Sequence, residues 1–507
     1  MPPQSLAISP LDAQNQKLIE QVHPADWRNP APAPRYNLVV IGAGTAGLVT
    51  AAGAAALGAK VALVERDLMG GDCLNFGCVP SKAILAASRV VGTIRRASEF
   101  GINVPGEVRV DFAAIMERMR RIRAELAAND SASRFRSLGV DVFIGDARFV
   151  GPDVVEVGGA KLRFARAVIA TGARASAPPI SGLADAGYLT NETVFSLTEL
   201  PPRTVVIGAG PIGCELAQAL SRLGSEVTIL EMLPQVLGRE DPDAAQIVAA
   251  ALARDGVRIV LGCKITGVTR RGAQKALAIE ANGNREELVA DEILVGAGRA
   301  PAVAGLNLES ARVEYDPQQG VKVNDYLQTT NPNIYAAGDA AMPWKFTHVA
   351  DATARIAIRN ALFFGRAKTS VLSVPWCTYT DPEIAHVGMY AHETAAHGVA
   401  LTTITQPLSS VDRAILDGET EGFVRVHLRA GTDRIAGATI VASHAGEMIS
   451  ELTTAMTAGV GLGGMAEVIH PYPTQAEAIR KVADAYNRTR LTPRVKRIFE
   501  TLLAWRR

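Results

Sequence analysis

Cysteine is scarce in this chain: five among 507 residues, Cys73, Cys78, Cys214, Cys263 and Cys377. So few thiols in so long a chain exclude a structural disulfide framework and suit a reducing cytoplasm with one specialised pair. Cys214, Cys263 and Cys377 read as small buried hydrophobes. Charge of one sign is also lacking, since 52 Lys and Arg face 51 Asp and Glu for a net +1. That balance predicts neither a nucleic-acid nor a membrane-surface partner. Long apolar runs are missing too. The apolar segments are strand-length or broken by charge, so no spanning helix is expected. No basic start followed by an apolar run opens the chain, and no secretory signal is expected. The length exceeds what one hydrophobic core serves, and roughly two to four domains are expected.

What is present is concentrated in a few motifs. Tyr36 to Ile41 reads as a buried strand running into Gly42-Ala-Gly44-Thr-Ala-Gly47, an Ala-rich helix through Leu57, and a second strand ending at Glu65. This is a β-α-β unit with its dinucleotide fingerprint in context. The first glycine permits the tight turn, the second lets a pyrophosphate approach the backbone, and the third allows close helix–strand packing. The helix N-terminus offers N–H groups to phosphate, and Glu65 is placed to accept from a ribose. The unit recurs as the strand Thr204 to Ile207, then Gly208-Ala-Gly210-Pro-Ile-Gly213, a helix, and a strand ending at Glu231. Gly42 to Glu65 and Gly208 to Glu231 span the same interval. One fingerprint is weak evidence, because such glycines also occur where they only make turns. Two in matching context predict two nucleotide sites.

Between and after them lie Thr171-Gly172 and Gly298, each in a small-residue turn after a strand, and Gly338-Asp339, a turn whose acid could take a sugar hydroxyl. Residues 1–34 are polar and end in a Pro/Ala run, read as an extended linker preceded at most by a short helix. From about residue 370, alternating strands followed by helices predict a separate α+β domain.

Cys73 and Cys78 sit in Gly-Gly-Asp-Cys-Leu-Asn-Phe-Gly-Cys-Val-Pro-Ser-Lys, just after the first fingerprint. Two thiols with four residues between them can close a small disulfide ring. Metal ligation is the weaker reading, because zinc wants closer pairs and more ligands, and inert packing is a third. No metal site is expected. Residues 78–88 read as the start of a helix with Pro80 in its first turn. A cysteine at a helix N-terminus has a depressed pKa, and Lys82 adds positive charge. Glu215, on the helix after the second fingerprint, is the expected partner of Lys82. The alternative is that both are ordinary surface charges.

Together with Tyr472-Pro-Thr-x-x-Glu477, these motifs resemble the pyridine nucleotide-disulfide oxidoreductases, a flavoprotein family, over roughly residues 35–490. The likeness is greatest to the mercuric reductase branch, where a tyrosine stands in place of the histidine of thiol-exchanging members. The resemblance implies an α/β fold with two Rossmann-like domains and a C-terminal α+β dimerisation domain. The expected boundaries are 1–34 for the extension, 35–175 and 300–369 for the FAD and central parts, 176–299 for NAD(P), and 370–507 for dimerisation. It implies FAD at the first fingerprint, held also by Thr171, Gly172, Gly338 and Asp339, and NAD(P)H at the second, bounded by Gly298. It implies a homodimer in which Tyr472 and Glu477 face Cys73 and Cys78 of the other chain. Cys78 would be the flavin-side thiolate and Cys73 the exchange thiol. Two features depart from mercuric reductases: no cysteine follows Cys377, and residues 1–34 hold none.

The expected activity is therefore an FAD-dependent NAD(P)H oxidoreductase with a metal ion or small electrophile as acceptor. A dihydrolipoyl dehydrogenase-like disulfide reductase is the alternative. A tyrosine, with a pKa near 10 against about 6.5 for histidine, is a poor base at neutral pH. His470 could stand in as acid/base but reads more readily as structural. Glu231 favours the free 2′-hydroxyl of NADH over the phosphate of NADPH.

Overall fold

The computed structural model describes residues 8–106, 108–393 and 398–507. The chain divides into two compact units, Met1–Met232 with Gly262–Val371, and Leu233–Leu261 with Leu372–Arg507.

The first unit is built on a parallel sheet because its strands are apolar on both faces. Strand β1 (Tyr36–Ile41) lies between β2 (Val61–Glu65) and β4 (Ala160–Ile169), in the register Val40 to Leu63 and Val40 to Val168. Strand β3 (Asp141–Ile144) extends the sheet beyond β2. Tyr36, Val39, Ile41, Val64, Phe143 and Phe164 are fully buried in the core beneath it. Strands β5 (Arg203–Ile207), β6 (Glu226–Leu230) and β7 (Glu292–Val295) form a second parallel sheet with β5 central. Strand β8 (Ile334–Ala336) returns to pair with β4.

Residues 8–34 contain the short helix that the sequence allowed before the Pro/Ala run, and they are docked. Helix α1 (Ala13–Val22) is capped by Asp12 and buries Asn15, Leu18 and Val22. Asn29 exchanges two hydrogen bonds with the backbone of Ile144 (2.8 and 2.9 Å), so a side-chain amide caps the end of β3. The Trp27 indole donates to Val142 O. A polar segment orders here because its amides meet an exposed strand end, a partner that composition does not reveal.

The second unit holds a five-stranded antiparallel sheet. In spatial order its strands are Pro375–Thr378, Glu383–Gly388, Ile435–Ala442, Phe423–Arg429 and Leu401–Pro407. Helices Ala445–Ala458 and Glu477–Thr489 contribute Met448, Ile449, Leu452, Ile479 and Val482 to its core. The segment Leu233–Leu261 clusters with this sheet, although it follows the second fingerprint in sequence. Glu240 accepts from Trp376 Nε1 (2.8 Å) and from the Tyr390 hydroxyl (2.5 Å). Arg425 pairs with Asp241 (3.1 Å) and with Asp243. These polar contacts, buried at Glu240 and Asp241, tie the segment to the sheet.

Candidate active site

The two fingerprints fold alike. Gly42 and Gly208 have φ of +99° and +101°, a conformation that glycine adopts without strain. A Cβ on Gly47 would stand 1.8 Å from Gly42 O, and one on Gly213 would stand 2.0 Å from Gly208 O. The third glycine is therefore where helices α2 (Thr45–Ala56) and α5 (Pro211–Leu223) touch their own turns. In both copies the acid at the strand end accepts from the residue between the first two glycines. Ala43 N–H donates to Glu65 Oε2 and Ala209 N–H to Glu231 Oε2, each at 2.7 Å. Glu65 is buried and also takes the Asp67 amide at 2.9 Å, and burial pushes its carboxyl up. Each oxygen of a carboxylate has two lone pairs, so a ribose hydroxyl can still be accepted.

The residues fit a dinucleotide at the first turn. Thr171 Oγ1 is buried with no hydrogen-bond partner among the described residues, beside Gly172 at φ +73°. A buried hydroxyl left unpaired at the mouth of a fingerprint is the mark of a polar group that a ligand satisfies. Gly338, at φ +68°, lets α2 approach the turn, where a Cβ would meet that of Ala46 at 3.1 Å. Asp339 is largely buried, which pushes its carboxyl up. Gly298, at φ +140°, ends the turn after β7.

The Cys73–Cys78 motif packs onto that same turn. Gly71 starts helix α3 (Gly71–Phe76), and a Cβ there would lie 2.6 Å from Gly44 Cα. Cys73 stands in α3, and Cys78 opens the long helix α4 (Cys78–Arg95), with Gly77 at the N-cap. Both cysteines are free thiols, Cys73 half-buried and Cys78 exposed. The Cys73 and Cys78 thiols interact through a hydrogen bond. That bond, together with Thr347 Oγ1 at 3.4 Å from Cys78 Sγ and the nearby Lys82 charge, holds the Cys78 thiol down at about 6. The same bond and burial drive Cys73 far up. The pair is polarised, with one sulfur ionised near neutrality and the other retaining its proton.

Lys82 Nζ meets Glu215 Oε2 at 2.7 Å, and Glu215 is buried on α5. One ion pair thus joins α4 to the helix of the second fingerprint.

Tyr472 and Glu477 lie in the second unit. Tyr472 is 69% exposed, and its hydroxyl donates to Asp412 Oδ2 at 2.8 Å, which raises the phenol further. The Tyr472–Pro473 bond is cis. Glu477 begins its helix, with Oε1 3.9 Å from Lys481 Nζ and Oε2 buried without a partner among the described residues. His470 has both ring nitrogens engaged, with Glu451 Oε1 at 2.8 Å and Val468 O at 3.1 Å. It is committed to its own neighbourhood.

The geometry adds residues that sequence reasoning missed. Thr347, at the start of the helix Thr347–Leu362, reaches Cys78 across a large sequence separation. Arg299 bridges Asp72 at 3.2 Å and Asp339 at 4.0 Å. Asn191 donates to Asp72 Oδ1 at 2.9 Å. None carries a local signal, because each is recruited by the fold.

Residues 36–354 match the family model for pyridine nucleotide-disulphide oxidoreductases, and residues 374–483 match the family's dimerisation domain. A mercuric reductase of Bacillus cereus is 35% identical over 445 residues, 88% of this chain and 70% of that one. A dihydrolipoyl dehydrogenase of Thermus scotoductus is 34% identical over 457 residues, 89% of this chain and 98% of that one. A solved structure, the Cu(II) complex of the HOCl-induced flavoprotein disulfide reductase RclA from Escherichia coli, superposes with a TM-score of 0.78. It shows 27% identity and covers 88% of this chain and 98% of that one. With two fingerprints of one geometry and a polarised dithiol packed on the first, the chain belongs to the pyridine nucleotide-disulphide oxidoreductases, FAD-containing enzymes that use NAD(P)H.

Proposed function

We propose that this enzyme is a homodimeric NADH-preferring reductase that delivers electrons at Cys73 and Cys78 to a soft metal ion or a small electrophile, in preference to a bulky disulfide. FAD, held by the first fingerprint with Thr171, Gly172 and Asp339, would supply the two-electron link between nicotinamide and the cysteine pair. The chain's own residues prepare the rest. Cys78 carries the negative sulfur, stabilised by the Cys73 thiol, the Thr347 hydroxyl and the Lys82 charge. Cys73 keeps a proton available beside it. Glu215 fixes the Lys82 ammonium, so the charge stays near the sulfur.

The observation that carries the choice of acceptor is Tyr472. Exchange with a dithiol substrate needs a base that takes a proton near neutrality and gives it back to the departing thiol. An exposed phenol bonded to Asp412, with its pKa raised above 10, cannot serve. Two soft sulfurs need no such base to hold a soft cation. The Cu(II) complex of the E. coli relative is consistent with this reading. Glu231 supports NADH, because a half-buried carboxylate at the strand end repels a 2′-phosphate. A second reading, a dihydrolipoyl dehydrogenase-like enzyme, is favoured by the 34% identity to the Thermus relative, against 35% for the mercuric reductase, and by the near-complete coverage of that relative.

Steady-state kcat/KM for Hg(II), Cu(II), lipoamide and glutathione disulfide under one set of conditions separates the two. The metal ions are expected to exceed both disulfides by at least about tenfold, some 1.4 kcal/mol of transition-state preference. Lipoamide turnover equal to or above that of the metals would overturn the proposal. Cys73→Ser and Cys78→Ser should each lose metal reduction by about a thousandfold while retaining FAD.

A further inference from the structure

The last helix, Pro493–Trp505, has no core. It buries none of its residues, in contrast to the preceding helix Glu477–Thr489, which buries Ala478, Ile479, Val482 and Ala483. It is nevertheless a well-specified helix, with Thr492 capping the Val495 amide and Pro at the start. Its residues are not those of an indifferent solvent-exposed helix. Val495, Ile498, Phe499, Leu502, Leu503 and Trp505 recur at three- and four-residue spacing and form one apolar arc. Trp505 is 82% exposed, and Ile498, Phe499 and Leu503 are each more than half exposed.

The charges fall on the remaining surface and are almost all of one sign. Arg494, Lys496, Arg497, Arg506 and Arg507 oppose Glu500 alone. The whole chain sums to only +1, so the rest of it is net acidic and the positive charge is gathered here. No helix among the described residues is long and apolar enough to cross a membrane. The helix also lies beyond the dimerisation match, which ends at residue 483. A short helix with an aromatic-aliphatic arc and a cationic flank is built to lie in an interface, its apolar side among acyl chains and its basic side among headgroups.

We propose that Pro493–Trp505 is an interfacial anchor that seats the enzyme on an anionic lipid bilayer. Charge complementarity selects this occupant. A second copy of the same helix would bring like charges together, whereas an anionic leaflet neutralises them. Ile498, Leu502 and Trp505, spaced by four and three residues, supply the insertion stripe. Arg494 and Arg497 flank it toward the headgroups, and Arg506 and Arg507 follow at its far end. The electron acceptor would then be met at a membrane surface. This inference is independent of the acceptor assignment.

The test is co-sedimentation of the full-length FAD-loaded enzyme with vesicles of phosphatidylcholine alone or mixed with phosphatidylglycerol, with oligomeric mass followed by sedimentation equilibrium. Binding to the anionic vesicles is expected to exceed binding to the neutral ones by about tenfold, and to fall steeply as salt shortens the Debye length below ~8 Å. Leu502→Asp and the combined Arg494→Glu, Arg497→Glu variant should each abolish it, with FAD content, oligomeric mass and NADH oxidation in solution unchanged. No binding to either vesicle, or equal binding to both, overturns the proposal. So does a Leu502→Asp variant that changes oligomeric mass while the parent ignores lipid, since the helix would then seat on a second copy.

Discussion

The two fingerprint regions share a turn, a helix and an acid, yet one is sealed and the other open. At the first, the start of α3 presses on the second glycine, with Gly71 against Gly44. Glu65 there is buried under two backbone amides. At the second, a Cβ on Gly210 would meet nothing within 4 Å. Glu231 is half-buried there, and Met232 beside it is 77% exposed. The same local code therefore yields two environments. A cofactor that stays needs a closed cradle, and a coenzyme that binds and leaves each turnover needs access. The difference lies in what packs on the turn rather than in the turn itself.

The largest effect expected from breaking this comparison comes from the third glycines. Gly47→Val should cost more than about 3 kcal/mol and give protein that lacks FAD, because its Cβ would overlap a backbone oxygen. Gly213→Val should instead leave a yellow protein whose NADH oxidation is lost. Flavin absorbance per chain and NADH kinetics check both, and full FAD occupancy in Gly47→Val would show that the first cradle is not what retains it.

Exchanging the acids should act next. Glu65→Gln presents an N–H to a backbone amide and should cost about 1–3 kcal/mol, read as faster FAD loss on dilution. Glu231→Gln should raise the KM for NADH by roughly tenfold, narrow the proposed preference for NADH over NADPH, and leave FAD content unchanged.

The Lys82–Glu215 pair links the two regions and supplies a finer test by pH. Cys78 is an acid whose pKa is depressed to about 6. Its thiolate is present above that value and disappears as pH falls through it. Iodoacetamide alkylation of the reduced enzyme should therefore slow with a midpoint about 6. Lys82→Met removes a positive charge and should move the midpoint upward. An unmoved midpoint would mean that the bonds from Cys73 and Thr347 hold the Cys78 thiol down without the Lys82 charge.

The smallest effect concerns the docked extension. Arg123, buried on the helix Phe112–Leu126, donates to Asn75 O (2.7 Å) in the cysteine helix and to Asn15 Oδ1 (2.6 Å) in α1. Asn15→Ala should destabilise by about 1 kcal/mol. Chemical denaturation monitored by flavin fluorescence should show it, with the second nucleotide site unaffected.

Much of the fold was legible because its signals are local. A strand that runs into glycines at fixed spacing and then into a helix admits few other shapes, and it occurs twice. Cys78 at the head of a helix was legible from Pro80 and the apolar run behind it. The docking of residues 8–34 was not, since Asn29 and Trp27 look like ordinary polar-segment residues until β3 is beside them. Thr347 and Arg299 were equally silent, since a threonine at a helix start and an arginine after a glycine have many ordinary uses. The cationic last helix was equally hidden in the whole-chain total, because a net +1 averages it against an acidic remainder.

The sequence by itself determined the reaction family, because phosphate turns and a spaced dithiol need particular residues at particular intervals along one stretch of chain. Only tertiary structure decided which fingerprint is closed and which distant groups attend the turns and the cysteines. Those properties arise from burial and from charges a few ångströms apart in space, and residues far apart in the chain carry no mark of meeting.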